Sequence, residues 1–245
     1  GLAAADGAWA GDWTTIGSLE SSTIWAPRGI AVDSNDNVYV TDSAEAGIWK
    51  LACGSSSWIK MSDAPFTGQQ VKPWAVAVDK NGHTYVLNSD TGYSGIVWKY
   101  DGNTWTDITH GHVFNKEPKG IAVDSSGHVY VISQYQGEVR DEGRVIKLAK
   151  GSTTWTVVGD WLNGYFENPS GIMVDGNDNV YVTNNVTNGY YIMKLSSGTW
   201  NYVYPGKSPK LDTPAGIALD RFGNLYVAST GTKEIHHAIL PEDDG

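Results

Sequence analysis

Short aliphatic runs separated by polar turns recur five times along this chain. The first copy reads Pro27-Arg28-Gly29-Ile30-Ala31-Val32-Asp33, then a polar Ser34-Asn35-Asp36-Asn37, then Val38-Tyr39-Val40-Thr41-Asp42. Further copies start at Pro73, Pro118, Pro169 and Pro214, at intervals of 46, 45, 51 and 45 residues. A fixed period of this size indicates an array of one supersecondary unit, in which each unit buries its neighbour's apolar face.

Four short strands are predicted in each repeat. The first is the Gly-Ile-Ala-Val-Asp run, with a small residue at its centre (Ala31, Ala77, Ala122 and Ala218, but Met173). Small side chains there suit an innermost strand crowded about an axis. The Asp that ends it and the Asn or Gly that follow are hairpin chemistry, since Asp and Asn bond to local backbone and Gly or Asn accepts positive φ. The second strand is Val-Tyr-Val, with period-two alternation. The third is an aliphatic-x-Lys-x pattern: Ile48-Trp49-Lys50-Leu51, Val97-Trp98-Lys99-Tyr100, Val145-Ile146-Lys147-Leu148 and Ile192-Met193-Lys194-Leu195. The fourth opens with Trp58, Trp105, Trp155 or Trp200. The fifth repeat reaches only its third strand, Glu234-Ile235-His236-His237-Ala238-Ile239. The missing tryptophan strand is present at the other end of the sequence, as Gly11-Asp12-Trp13-Thr14-Thr15-Ile16-Gly17, and Trp13 precedes Pro27 by the same 14 residues that separate Trp155 from Pro169. Joining both ends in one sheet removes an open edge. The expectation is therefore an all-β, five-bladed propeller of four-stranded antiparallel blades, closed by the N-terminal strand pairing into the last blade. It forms a single domain over 1–245, with repeats at 26–71, 72–117, 118–168, 169–212 and 213–240, the last closed by 11–20.

The recurring Pro-x-Gly-Ile-Ala-Val-Asp followed by Gly/Asn-x-Val-Tyr-Val resembles the NHL repeat of β-propeller proteins. The resemblance spans essentially residues 11–240. It implies the propeller fold and a range of functions: protein- and RNA-binding modules, bacterial sensor ectodomains and a few lyases. Fold alone does not select among these. The second strand often ends in Asp in that family, yet only Asp42 keeps it here, against Asn88, Ser133, Asn184 and Ser229; the arginine often placed before the third strand is kept only as Arg144.

The formal charge of −10, from 27 acidic and 17 basic side chains, comes without a basic stripe and argues against nucleic acid and anionic membrane surfaces as partners. Apolar runs of four or five residues are far too short for a membrane-spanning helix. The single cysteine, Cys53, excludes an internal disulfide framework and sits among turn residues. Plentiful Gly, Ser, Thr, Asn and Trp with sparse lysine point towards a bacterial extracellular or cell-surface protein, expected to be a monomer.

In the propeller topology the fourth-to-first and second-to-third connections share one face. These loops are longer and more aromatic than the opposite hairpins, and variable loops on a rigid frame are where binding resides. Nearest the axis is the residue after each proline: Arg28, Trp74, Lys119, Ser170 and Ala215. The candidate ligand-binding set is Arg28, Trp74, Lys119, Asp42, Asn88, Tyr93, Gln134, Tyr135, Trp161, Phe166 and Asn184. Planar aromatics beside carboxylates and amides suit a protein, peptide or glycan ligand; the structural alternative is that they cap the sheets. The insertion Gln134–Gly143 makes the third interval long, as a lip over a pocket or a solvated loop.

No cofactor, catalytic residue or metal ligand is assigned. His83 and His128 share the repeat position of Asn37, and His236 and His237 fall on an outer strand. Only His110-Gly111-His112 is spaced to share one side of an extended segment on the loop-rich face, and two histidines fall short of a zinc set. With Arg28 and the repeat-three insertion they frame the alternative, a metal-assisted lyase or hydrolase. The Asp/Asn clusters at 33–37 and 175–179 lack the glycine and distal glutamate of an EF-hand loop. No Gly-x-Ser-x-Gly elbow or phosphate loop occurs.

Overall fold

The computed structural model describes residues 24, 26–61, 72–89, 95–114, 118–136, 141–160, 162, 166–186, 189–204, 211–220 and 222–239. Five antiparallel sheets are set radially about one axis, and no helix occurs among the described residues. The first blade comprises β1 (Pro27–Val32), β2 (Val38–Asp42), β3 (Gly47–Leu51) and β4 (Trp58–Lys60). The second comprises β5 (Lys72–Val78), β6 (Thr84–Ser89), β7 (Gly95–Tyr100) and β8 (Trp105–Asp107). In the third are β9 (Pro118–Val123), β10 (Val129–Gln136), β11 (Asp141–Leu148) and β12 (Trp155–Asp160). The fourth holds β13 (Asn168–Val174), β14 (Val180–Val186), β15 (Gly189–Ser196) and β16 (Thr199–Tyr204). The fifth shows three strands, β17 (Pro214–Leu219), β18 (Asn224–Ser229) and β19 (Glu234–Ile239). The expected fourth, over Trp13, lies outside the described residues.

The inner strands β1, β5, β9, β13 and β17 touch in that order around the axis. Small residues permit this crowding. A Cβ added to Gly29 would stand 2.8 Å from the Ala75 Cα of the next blade, and one on Gly171 would run into the Ala215 carbonyl. Aliphatic side chains meet between blades. Ile48 packs with Val76 and Val86, Val145 with Val182 and Met193, and Ile192 with Leu225 and Val227. Each such side chain contributes about 1.5–3 kcal/mol. Indoles tie the outer strands: Trp155 Nε1 donates to the Ile108 carbonyl at 3.2 Å, and Trp200 Nε1 to the Val158 carbonyl at 2.7 Å.

Each first hairpin is organised by its aspartate. Asp33 Oδ1 accepts the Asn35 and Asn37 backbone N–H groups, while Oδ2 accepts the Asn37 amide and, at 3.0 Å, the Tyr39 hydroxyl. The same arrangement holds Asp175 with Asn179 and Tyr181, and Asp220 with Asn224 and Tyr226. The third-strand lysines complete it. Lys50, Lys99, Lys147 and Lys194 place Nζ 5.1, 5.5, 5.1 and 5.7 Å from the ring centroids of Tyr39, Tyr85, Tyr130 and Tyr181. Each lysine therefore covers the tyrosine of the neighbouring strand. In the last blade His237 replaces it, 5.1 Å from Tyr226.

The insertion after Ser133 departs from the expected loop. Gln134, Tyr135 and Gln136 pair with Gly143, Glu142 and Asp141, so β10 and β11 extend as a ladder beyond the other blades' second hairpins.

Candidate functional site

The axial positions are created by a repeated irregularity. In every blade the ladder between first and second strands slips just after the proline. Pro73 faces Asn88 and Ala75 faces Leu87, which leaves Trp74 without an opposite number. The same holds for Lys119 between Pro118 and Gly120, and for Ser170 between Pro169 and Gly171. An extra residue in one strand bends it and re-aims a side chain.

Those side chains reach sideways to the next blade. The exposed Arg28 sets its Cζ 4.4 Å from the ring centroid of the half-buried Trp74. Lys119 Nζ donates to Asn168 Oδ1 at 2.6 Å. Ser170 Oγ donates to the Pro214 carbonyl, which the Asn185 amide also reaches at 3.3 Å. Two cations, Arg28 and Lys119, thus stand on the axial rim of an otherwise acidic chain.

Asp42, Asn88 and Asn184 differ from their expected orientation towards a ligand: all three are buried. β6, which carries Asn88, lies between the first and third blades and is buried along its whole length. Asp42 Oδ1 accepts the N–H groups of Ala26 and Ala44, and Asn184 Oδ1 those of Glu167 and Asn168, pinning the incoming loop to the blade. The Asn88 side chain, at the same repeat position, has no hydrogen-bond partner among the described residues. Phe166 is also inside, edge-on to Trp200 at 4.8 Å, and forms core between the third and fourth blades. Gln134 and Tyr135 lie on the extended β10, while Tyr93 and Trp161 lie outside the described residues.

His110 and His112 do not share one side of an extended segment. His110 and Gly111 both take left-handed backbone angles, φ 51° and 74°, so the chain turns between the rings. His112 packs on Phe114 and Trp155, and burial followed by the Arg144 charge lowers its pKa. His110 lines a groove of about 270 Å³ between the second and third blades, with Tyr85, Lys99 and Lys150. A matching groove of about 300 Å³ between the third and fourth blades carries Tyr130, Lys147 and Asp178. Neither groove is lined by an axial residue. Among the described residues no three His, Cys, Asp or Glu side chains are grouped to hold a metal ion.

His83 and His128 anchor hairpins on the far face, as their register implies, but with opposite ring chemistry. His83 Nδ1 stands 2.8 Å from Asp79 Oδ2 and must donate, because a carboxylate only accepts. His128 Nδ1 accepts the Lys150 backbone N–H at 2.8 Å.

Known proteins match at the level of repeat and fold. The NHL repeat family model matches residues 25–47, and the Beta-propeller repeat model matches residues 204–233. No curated protein sequence matches the chain. Among solved structures, a chain of the nidogen/laminin complex superposes with a TM-score of 0.64 at 17% identity, covering 87% of this chain and 76% of that one. Streptogramin B lyase gives 0.60 at 18%, covering 89% and 70%. A gluconolactonase from Xanthomonas campestris gives 0.61 at 12%, covering 88% and 72%. Similarity this distant shows a shared propeller fold.

Proposed function

We propose that this β-propeller of NHL-type repeats is a non-catalytic recognition module, and that its loop-rich face takes a carboxylate-bearing protein or peptide segment at the axial rim. The observation that carries the reading is the Arg28–Trp74 stack. Packing against an indole restrains the guanidinium of the exposed Arg28, and a guanidinium suits a carboxylate through paired hydrogen bonds. Trp and Arg are also the residue types that dominate interface energetics. Lys119 supplies a second positive charge two blades on. The structural neighbour from the nidogen/laminin complex comes from a protein–protein assembly, which gives the reading a precedent on this fold. Asp42 and Asn184, buried beneath this face, serve as loop anchors, so the ligand surface is set by what projects from the bulges. A location outside the cell or on its surface is part of the same proposal and rests on composition; surface proteolysis of intact cells tests it.

The test is retention on arrays of acidic peptides and of anionic glycans. Arg28→Ala and Trp74→Ala are each expected to lower retention about tenfold or more with the circular dichroism unchanged. Arg28→Lys is expected to recover little, since an ammonium cannot stack and pair in the same way. A glycan-only response would replace the peptide with an acidic sugar, and retention unchanged in both alanine variants would end the proposal.

A further inference from the structure

The groove between the second and third blades gathers basic groups, and its counterpart between the third and fourth does not. Both are walled by a tyrosine and the lysine stacked on it, Tyr85 with Lys99 in one and Tyr130 with Lys147 in the other. At two further repeat positions they diverge. The first groove has Lys150 and Gly127 where the second has Ser197 and Asp178. Ser125 donates its backbone N–H and its hydroxyl to Asp178, each at 2.7 Å, which ties the third blade to the fourth beside the second groove. The matching pair beside the first groove is Lys80 and Gly127, and a glycine has no side chain for such a tie. His110 adds a third basic group to the first groove. A tight turn holds it there: Asp107 Oδ1 accepts the Thr109 N–H at 2.7 Å, and the Thr109 carbonyl accepts the His112 N–H at 2.9 Å.

Among the described residues no carboxylate lines the first groove, and none of Lys99, Lys150 and His110 takes part in an ion pair. Asp79 and Asp124, whose charges reach Tyr85, are buried and held by their own hairpins. Asp79 accepts the Asn81 and His83 backbone N–H groups and the His83 ring, and Asp124 accepts the Ser126 and His128 backbone N–H groups. We infer that this groove binds the phosphate monoester of a small molecule, with Lys99, Lys150 and His110 about the phosphate and the organic part against Ile108 and Leu148. The site is separate from the axial rim and does not depend on what the rim binds. A phosphate monoester carries about −1.5 to −2 at pH 7, which two ammonium groups match and one carboxylate would not. Lysine serves phosphate as a point charge and needs no fixed fork geometry. The volume of about 270 Å³ sits just under the roughly 300–1,000 Å³ of small-molecule sites, so the ester is no larger than a sugar phosphate.

Calorimetric titration of the full chain with inorganic phosphate and with glucose 6-phosphate tests this, with glucose and gluconate as the uncharged and carboxylate counterparts at matched ionic strength. Saturable binding is expected for both phosphates, tighter for the ester because its sugar covers the groove wall. Lys99→Ala and Lys150→Ala should each weaken it about tenfold, the loss of one hydrogen bond to a charged group. Lys150→Glu should abolish it. Lys147→Ala in the neighbouring groove and Arg28→Ala on the axial rim should leave it unchanged. Lys99 also covers Tyr85, so the exposed Lys150 decides the outcome if the Lys99 variant fails to fold. Four results would each overturn the inference: no saturable binding of either phosphate, glucose or gluconate bound as tightly as the ester, affinity unchanged in Lys150→Ala, or affinity lost in Arg28→Ala.

Discussion

The Tyr85 hydroxyl donates to Asp79 Oδ2 at 3.2 Å, in the buried seam between the first and second strands of the second blade. The two groups are shifted in opposite directions. Burial opposes the charge on Asp79, but the His83 ring and the His83 and Asn81 backbone N–H groups outweigh it and lower its pKa. Burial, followed by the Asp79 charge and hydrogen bond, raises the Tyr85 phenol. Asp33 and Tyr39 shift in the same directions in the first blade.

Acid should unfold the propeller through these carboxylates. Asp33, Asp79 and Asp178 have lowered folded values against about 3.9 in an unfolded chain. Their contribution is complete above about pH 4–5 and is lost as pH falls through the lowered values. The urea midpoint is expected to be level near pH 6 and to drop steeply below about 4. Asp79→Asn should soften the drop, and a midpoint indifferent to pH in that range would contradict the hydrogen-bond assignment.

Alkali acts on the partner group. The phenols of Tyr39, Tyr85 and Tyr130 are raised above about 10, so their stabilising effect holds below that pH and fades as pH climbs through the raised values. Absorbance of tyrosinate near neutral-to-alkaline pH should show a late group that ionises together with loss of β-sheet signal. Tyr85→Phe should remove one phenol from that late group and cost about 1 kcal/mol.

Equivalent histidines should carry opposite protons. Long-range nitrogen spectra are expected to show hydrogen on Nδ1 in His83 and on Nε2 in neutral His128, following the donor and acceptor roles of their Nδ1 atoms. Finding the same tautomer in both would remove the distinction.

Loop anchoring should differ sharply between matching asparagines. Asn184→Ala strips two backbone N–H groups of their acceptor and is expected to cost about 1–3 kcal/mol, with faster exchange at Glu167 and Asn168. Asn88→Ala removes no hydrogen bond among the described residues, so its effect on Tm should be clearly smaller. Equal losses would show that the two positions are anchored alike.

The blades were legible because the proline interval and the Val-Tyr-Val runs repeat, and period-two strands with Asp/Asn turns leave little choice of architecture. The orientation of Asp42, Asn88 and Asn184 was not. Alternation normally separates a wet face from a dry one, but β6 is buried along its whole length because blades cover both faces, so parity carries no information about solvent. Phe166 misled for a related reason: a loop aromatic three residues before a proline fills the gap under Trp200. The Lys–Tyr stacks were open to inspection, since lysine and tyrosine recur at paired register positions such as Tyr130 and Lys147. The axial bulges left no signal, because one surplus residue in a ladder has no composition of its own.

Those bulges set how the protein can change over time. A residue with no opposite number in the ladder register can be exchanged without breaking the ladder, and Arg28, Trp74, Lys119, Ser170 and Ala215 show five such exchanges on one frame. Selection can therefore retune the mouth of the ring one position at a time, as a lock is rekeyed pin by pin while its barrel stays in place.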